Sequence, residues 1–471
     1  MRVLLARPAP DPETIGLRHV MLVEPLELEV LASLCRPDAE PVVVDLTLER
    51  DSFEDFLRRE RPDVVALTGY ITNVKAMIAA CRSAKARDPR TVTIVGGVHC
   101  EVCPEHLDDP AVDFRVVRNA VTAFPALLDH VRDKGPVPPG VLRSGERLDP
   151  ARLPPHDFAW VHPDRRTTAR YRDRYFYIFQ DKVALLKTAF GCPYRCNFCF
   201  CREITSHEYR ERALEDVLDE LAAIEQREIY IVDDDFLVSE KRVKAFVDGL
   251  RRRGIDKHYL VYGRADFIAK HPVSLETFRD AGLSTVIVGF ESFLPGELER
   301  YGKGGSLETN RAAVDVLNRL GIDCYATLIL HPSWGRAEFS ATGRALRALG
   351  IKNVNLQPLT PLPGTGLASP EEALVIGRDD FARWDLAHVT LRPERMSVSE
   401  YYRQIIRLYL VTLYHPRHLL GYLKYPLRMQ WRMAAGSRRV HQQYLSKLEE
   451  ARRLERAGVY ARRAPPGEGR P

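Results

Sequence analysis

Short apolar runs and longer amphipathic stretches alternate through the first hundred residues. Val3–Ala6, Pro41–Leu46, Asp63–Thr68 and Thr91–Val95 read as buried strands. Pro25–Leu34, Phe53–Arg59 and Asn73–Arg87 read as helices, the first begun by its proline. Repeats of this length predict an open, doubly wound (Rossmann-like) parallel sheet over residues 1–140, with helices on both faces. Ligands of such sheets bind beyond the carboxyl ends of the strands. Those ends are Arg7 to Gly16, Thr68 to Asn73 and Gly96 to Cys100.

The pattern lapses over residues 141–180. This segment opens with prolines and continues with Phe158, Trp160, Tyr171, Tyr175, Phe176, Tyr177 and Phe179 among Arg165, Arg166, Arg170, Arg172 and Arg174. It reads as a linker that either packs against both neighbours or lines a groove between them. Alternation resumes over residues 181–365. Strands are expected at Val183–Phe190, Glu228–Val232, Tyr259–Tyr262, Thr285–Val288, Cys324–Ile329 and Asn353–Leu356, with helical stretches between them. Six such units predict a second α/β body with a parallel sheet and its chemistry at the carboxyl ends of the strands. Residues 366–471 form a helical C-terminal region. Ser399–Leu413 is its clearest helix, and Arg462–Pro471 reads as disordered.

At 471 residues, 45% hydrophobic and 28% charged, the chain is long enough for two or three domains of an ordinary globular protein. No stretch approaches the ~20 apolar residues of a spanning helix. Met1–Ala6 reads as a first strand rather than a signal peptide. Nine cysteines, an odd number, suit a reducing, cytoplasmic setting. The net charge of +5 does not by itself call for nucleic acid. Its distribution is uneven, because no acidic residue occurs from Tyr401 to Leu448. Arg403, Arg407, Arg417, Lys424, Arg428, Arg432, Arg438, Arg439 and Lys447 lie there, with Trp431, Tyr422 and Tyr425 interleaved. A lid over the sheet's mouth is the first reading. A peripheral contact with the inner face of an anionic membrane is the second.

The candidate chemistry centres on Gly191–Phe200, where Cys192, Cys196 and Cys199 form a C-x3-C-x2-C array. Gly191 and Pro193 break the preceding strand, so three thiols share one loop at a strand's carboxyl end. Clustered thiolates bind a soft metal or an iron–sulfur cluster. Three ligands leave one iron open. A zinc loop with a remote fourth ligand is the bland alternative. Cys201 reads as a spare thiol. Cys100 and Cys103 form a lone C-x2-C without a second pair, which is not read as a metal site. Asp233–Asp235 reads as capping and local hydrogen bonding rather than a metal shell.

With Phe198 as its aromatic residue, the array resembles the hallmark of the radical S-adenosylmethionine (SAM) enzymes. The resemblance implies a partial (β/α)6 TIM-type barrel and a [4Fe-4S] cluster on Cys192, Cys196 and Cys199. It also implies SAM chelated at the open iron and cleaved to a 5′-deoxyadenosyl radical. Carried over, Phe198, Glu291 and Ser292 contact SAM, and Arg264 pairs with its carboxylate. The Gly-Gly-Glu that many relatives carry after the second strand is absent, so the contact to the amino group is unassigned.

The N-terminal domain resembles the cobalamin-binding domain that precedes many of these enzymes, through its Pro-Leu-x-Leu helix, Thr68-Gly69 and Val95-Gly96-Gly97-Val98-His99. On that resemblance the cobalamin residues are Gly16, Glu24, Leu26, Thr68, Gly69, Tyr70, Asn73, Gly96, Gly97, Val98 and His99. The two glycines are expected to let backbone approach a bulky ligand. No Asp-x-His-x-x-Gly is present, so no histidine is expected to replace cobalt's lower ligand. Together the domains resemble the cobalamin-dependent radical SAM methyltransferases, and the N-terminal run Thr14–Glu29 looks most like the hopanoid C-3 methylase group. The implied reaction methylates an unactivated carbon of a lipid or other small molecule, with an electron donor such as ferredoxin or flavodoxin. A radical cyclase of the bacteriochlorophyll type and a non-catalytic sensor are the alternatives. No nucleic acid is expected.

Overall fold

The computed structural model describes residues 1–133, 135–178, 180–201, 203–367, 369–413 and 422–460. Phe179, Arg417 and Arg462–Pro471, named above, lie outside them.

The first sheet is built from β1 (Arg2–Arg7), β2 (Glu40–Asp45), β3 (Val64–Thr68), β4 (Val92–Gly96), β5 (Phe114–Val116) and β6 (Val141–Arg143), in the order β2-β1-β3-β4-β5-β6. All pairs are parallel except β5–β6. The antiparallel edge carries the sheet to Arg143, inside the stretch read as linker. Central β3 is buried throughout, as a strand covered on both faces must be. Helices α1 (Leu26–Ser33), α2 (Phe53–Glu60), α3 (Val74–Arg87) and α4 (Ala120–Asp133) accompany it, and separate apolar clusters fill its two faces. The α2 terminus shows why the chain turns helical there. Ser52 accepts the Asp55 amide while Asp55 accepts the Ser52 amide, which satisfies two otherwise orphaned donors. The strand order reverses between β1 and β3, the switch point at which such sheets bind ligands.

The second sheet runs in sequence order: β7 (Ala184–Leu186), β8 (Glu228–Ile231), β9 (His258–Arg264), β10 (Leu283–Glu291), β11 (Asp323–Leu330) and β12 (Asn353–Pro358). Every pair is parallel. Helices α5 (Leu214–Ala223), α6 (Glu240–Arg253), α7 (Pro272–Asp280), α8 (Leu307–Leu320) and α9 (Arg336–Ala348) follow β7, β8, β9, β10 and β11. β7 and β12 do not pair, so this is a partial (β/α)6 barrel with an open side. The run expected as one strand from Val183 to Phe190 divides. After β7, Ala189–Phe190 leaves the sheet to pair antiparallel with Arg210–Glu211.

Two features join the bodies. One is a buried ionic seam. Arg165 pairs with Glu24, Glu29 and Glu220, and Arg212 lies 2.8 Å from Glu220. The linker therefore packs against both domains, and its Phe176, Tyr177 and Ile178 also line the space between them. The other is the C-terminal region, α10 (Val398–Leu413) and the thirty-residue α11 (Leu427–Arg456). Gln443 on α11 accepts the Gly16 amide at 3.0 Å. Gly436 lets α11 pass so close to the His19 carbonyl that a Cβ would meet it at 2.5 Å. The Ile15 amide donates to Asp385 at 2.7 Å. The tail thus straps the first domain to the barrel.

A cysteine loop and a glycine turn facing one cavity

The cysteine loop is held from below by Asp233. Its carboxylate, almost fully buried, accepts the amides of Thr188 and Ala189 at 2.7 and 3.0 Å, and the Thr188 hydroxyl. Asp235 accepts the Leu237 amide at 3.0 Å, and Ser239 caps α6. Of this run only Asp235 bonds locally, as expected; Asp233 reaches back across the chain to anchor the loop instead of capping the helix. Gly191 turns into the loop with φ +71°, and a side chain there would overlap the Glu208 carbonyl.

From the side, the segment after β10 braces the loop. The Asn197 side chain donates to the Arg300 carbonyl at 2.9 Å, and Phe198 stands edge-on to Tyr301 at 5.8 Å between centroids. Cys192, Cys196 and Cys199 are each partly covered. Burial pushes the Cys192 thiol up to about 12 and raises Cys196, whereas Cys199 is lowered by the thiol of Cys201, which donates to it. Cys201 thus supports the array from outside. Among the described residues, the cysteines of the array form no group whose ligand atoms lie within 4.8 Å of one another; only Cys103, Glu105 and His106 do. Three thiols on one loop are a donor set that suits a cluster with one open iron. Cys100 is turned away from Cys103, toward the Val95 carbonyl at 3.7 Å.

Arg264, Glu291 and Ser292 stand at the ends of β9 and β10, beside the loop. Arg264 stacks over Tyr194 at 3.9 Å, donates to Asp266 and to the Lys303 carbonyl at 2.7 Å, and points one N–H at Cys196 Sγ, 3.8 Å away. Most of its donors are engaged within the protein, so it braces the loop as much as it offers charge to a carboxylate. Glu291 is buried, has φ +60°, and accepts Lys303 Nζ at 2.6 Å. Gly289 makes room for this pair, since a Cβ there would lie 2.5 Å from Glu291 and 2.7 Å from Lys303. Ser292 accepts the Leu294 amide, and its carbonyl accepts Asn310. Lys303 was missed in the sequence. The glycine-rich Gly302-Lys303-Gly304-Gly305 was the available signal.

The expected cobalamin residues divide into three sets. Gly16, Tyr70, Val98 and His99 line the cavity. Thr68, Gly69, Asn73, Gly96 and Gly97 build the turn behind them. At Gly97, with φ +95°, a Cβ would meet Thr68 Oγ1 at 2.7 Å and the Gly69 carbonyl at 2.9 Å. The neighbouring turn by itself requires glycine there. At Gly96 a Cβ would make only an ordinary 3.7 Å contact. Glu24 and Leu26 fall elsewhere. The Glu24 carboxylate is buried on Arg165 and the Leu185 amide, and Leu26 packs against Leu185, Leu260 and Ile287 of the barrel. Charge pairing and apolar packing at the seam claim both. His99 Nε2 lies 3.0 Å from His106 Nδ1, and burial lowers His99 to about 4, so its ring is neutral.

One cavity of about 520 Å³ lies beside these parts, and Cys192, Cys196, Cys199, Phe198, Arg264, Glu291 and Ser292 are not on its wall. Phe200 of the cysteine loop, Tyr70 and His99 of the first domain, Tyr262 and Gln357 of the barrel, and Met433 and Tyr444 of α11 all line it. The sequence reading missed the barrel and α11 residues, which come together only when strands far apart in the chain pair.

A B12 binding domain model matches residues 2–128, and a Radical SAM superfamily model matches residues 186–346. The chain is 28% identical over 418 residues to the hopanoid C-3 methylase of Methylococcus capsulatus, covering 86% of this chain and 79% of that protein. It is 25% identical over 383 residues to the anaerobic magnesium-protoporphyrin IX monomethyl ester cyclase of Rubrivivax gelatinosus, covering 77% and 68%. Its fold is similar to that of the radical S-adenosylmethionine methyltransferase TsrM from Kitasatospora setae, solved with cobalamin and a [4Fe-4S] cluster bound. The TM-score is 0.66 at 17% identity, covering 96% of this chain and 99% of that one. The chain thus joins a B12 binding domain to a Radical SAM domain.

Proposed function

We propose that the chain is a cobalamin-dependent radical SAM methyltransferase acting on an unactivated carbon of an apolar small molecule, with a hopanoid or related lipid first among the candidates. The observation that carries this is the shared cavity, whose wall joins Phe200 at the end of the cysteine loop, Tyr70 and Val98 at the strand ends of the B12-binding domain, and Tyr262, Tyr325 and Gln357 of the barrel strands. Its walls are mainly aliphatic and aromatic, which suits an apolar substrate.

In this reading Cys192, Cys196 and Cys199 hold a [4Fe-4S] cluster. Loading it must displace thiol protons, which burial otherwise favours at Cys192 and Cys196. Phe198, Arg264, Glu291 and Ser292 surround SAM, with the Lys303–Glu291 pair fixing the end of β10. Gly16, Tyr70, Val98 and His99 face cobalamin. When bound, the cluster with SAM supplies a carbon-centred radical able to take hydrogen from carbon, and cobalamin supplies the methyl group. The protein's own part is to orient the reactants, exclude water and lend no competing nucleophile. An electron donor such as ferredoxin or flavodoxin and a cytoplasmic setting complete the reading, with the basic tail available for a peripheral membrane contact. No helix among the described residues is long and apolar enough to cross a membrane.

The test is anaerobic: reconstituted enzyme, cobalamin, a strong reductant and methyl-labelled SAM. We expect 5′-deoxyadenosine together with label on cobalamin, and then on a hopanoid. Deoxyadenosine without methylcobalamin would replace this reading with a cyclase-like one, which the likeness to the magnesium-protoporphyrin cyclase favours. Absence of both products from enzyme loaded with both cofactors and supplied with hopanoid would sink it.

A further inference from the structure

We propose that the outer face of α11 docks on an anionic lipid bilayer, so that an apolar substrate reaches the cavity from the membrane. The helix has two unlike sides. At 3.6 residues per turn, Met433, Val440 and Tyr444 fall on one side, and all three line the cavity. Leu427, Trp431, Ala434, Arg438 and Leu445 fall within an arc of about 60° on the opposite side, and all are exposed. Leu427 is 74% exposed and Trp431 76%, with Leu423 at 66% just before the helix. Large apolar side chains held this far into solvent, one turn apart, mark an interaction surface.

The charges on and around the stripe say what it meets. Arg438 lies within it, and Arg428 and Arg439 flank it. All three are exposed, and none is ion-paired among the described residues. Other cations near the stripe are held within the protein. Lys424 is held by Asp323, Arg432 by Asp181 and Lys447 by Glu13. Unpaired arginines around Trp and Leu fit an anionic leaflet, with the aromatic ring at the headgroup level. A second copy of the same face would bring like charges together. Leu410 of α10, which lines the cavity, is itself 39% exposed. The cavity therefore reaches the surface beside the C-terminal helices. The delivery role, though not the docking, rests on the cavity being the substrate site.

The test is co-sedimentation of the full-length protein with phosphatidylcholine vesicles, with and without phosphatidylglycerol. The expected result is at least ~10-fold stronger partition onto the anionic vesicles, abolished by high salt. Arg428→Gln, Arg438→Gln and Arg439→Gln should each weaken it about fivefold, as about 1 kcal/mol per cation implies. Leu427→Glu with Trp431→Glu should weaken it at least as much as the three together, with an unchanged melting curve. Equal partition onto both vesicle types overturns the proposal. So does vesicle binding by the double variant equal to that of the unsubstituted protein, or a double variant that changes only the sedimentation velocity, which would make the face a self-interface. Failure of methyl transfer is a separate outcome: it would appear with substrate dispersed in detergent as well as in vesicles and leave partition unchanged. The double variant should methylate detergent-dispersed substrate normally and vesicle-borne substrate poorly.

Discussion

Both sheets contribute to the wall of one cavity, yet they finish their strand ends in opposite ways. In the B12-binding domain the turns close on themselves. Gly97 packs against Thr68 and Gly69, and the Tyr70 amide is taken by Asn73 at 3.2 Å. Little is left over, so the turn is a platform whose shape is complete beforehand. In the barrel the loops end in unfinished business. Asp235 Oδ2 and Asn197 Oδ1 are buried with no hydrogen-bond partner among the described residues, the Cys192 thiol is pushed up to about 12, and Glu291 holds a left-handed backbone. Buried polar groups without partners cost stability. The first set of loops is built by backbone shape, the second by side-chain charge.

The largest effect should follow from removing a side chain the second set is built around. Cys196→Ala should abolish the visible absorbance and reduced-state EPR signal of a reconstituted cluster and bring deoxyadenosine formation to background. Cobalamin binding should stay within about twofold, since the turn around Gly97 does not depend on the array. Loss of both cofactors in this variant would break the comparison, because the two sets of loops would then be one unit.

Lys303→Met comes next. It leaves the Glu291 carboxylate buried without its cation, and breaking such a pair typically costs about 3–5 kcal/mol. A lower apparent melting temperature and weaker SAM binding are expected, with cobalamin binding again spared. Adding Glu291→Gln should recover much of the stability but not the SAM affinity. If Lys303→Met alone left both unchanged, the pair would be a bystander.

The glycines test the first set directly. Gly97→Ala forces a Cβ against Thr68 and the Gly69 backbone at an unfavourable φ, and should cost about 1–3 kcal/mol and at least ~10-fold in cobalamin affinity. Gly96→Ala, one residue away in open packing, should change stability by less than ~1 kcal/mol. Equal effects would mean that ligand contact, not the turn, sets the requirement. Differential scanning and cobalamin titration read both.

How much of this was legible follows the same division. The cysteine loop, Arg264 and Glu291 were visible because their chemistry lies within a few residues at strand ends. The parallel order of both sheets followed from alternating periodicity. The antiparallel edge at Val141–Arg143 was not visible, because three residues carry too little pattern to compete with the prolines before them. Glu24 and Leu26 lie at the seam rather than on the cavity wall for a different reason. Their partners Arg165, Leu185 and Leu260 are more than a hundred residues away, and only the docking of two domains decides whether a carboxylate meets a cofactor or an arginine. Lys303, marked only by the glycines around it, and the inner face of α11 took on a role only once tertiary packing turned them toward the site. The long helix itself lacked a capping signal at its start, where Pro426 supplies no side-chain bond.

The smallest effect concerns the seam, which resembles the barrel loops in carrying charge and the glycine turn in being closed. Glu29 decides which it is. It is fully buried on α1; one oxygen accepts the Thr168 hydroxyl and the other has no hydrogen bond. Arg165 lies 3.5 Å away but is shared with Glu24 and Glu220. Burial first, and then the Glu24 charge, raises Glu29 to about 8. A carboxyl raised on folding favours the folded state fully below its ordinary value near 4.5, and that contribution is lost as pH rises through about 8. Glu29→Gln keeps the shape and has no proton to lose. The variant and the unsubstituted protein should therefore melt alike near pH 5 and diverge toward pH 9, the variant being more stable by on the order of 1–3 kcal/mol. Parallel melting curves across that range would show Glu29 ionised and satisfied by Arg165. The seam would then be closed like the turn at Gly97, and it would share only its charge with the barrel loops.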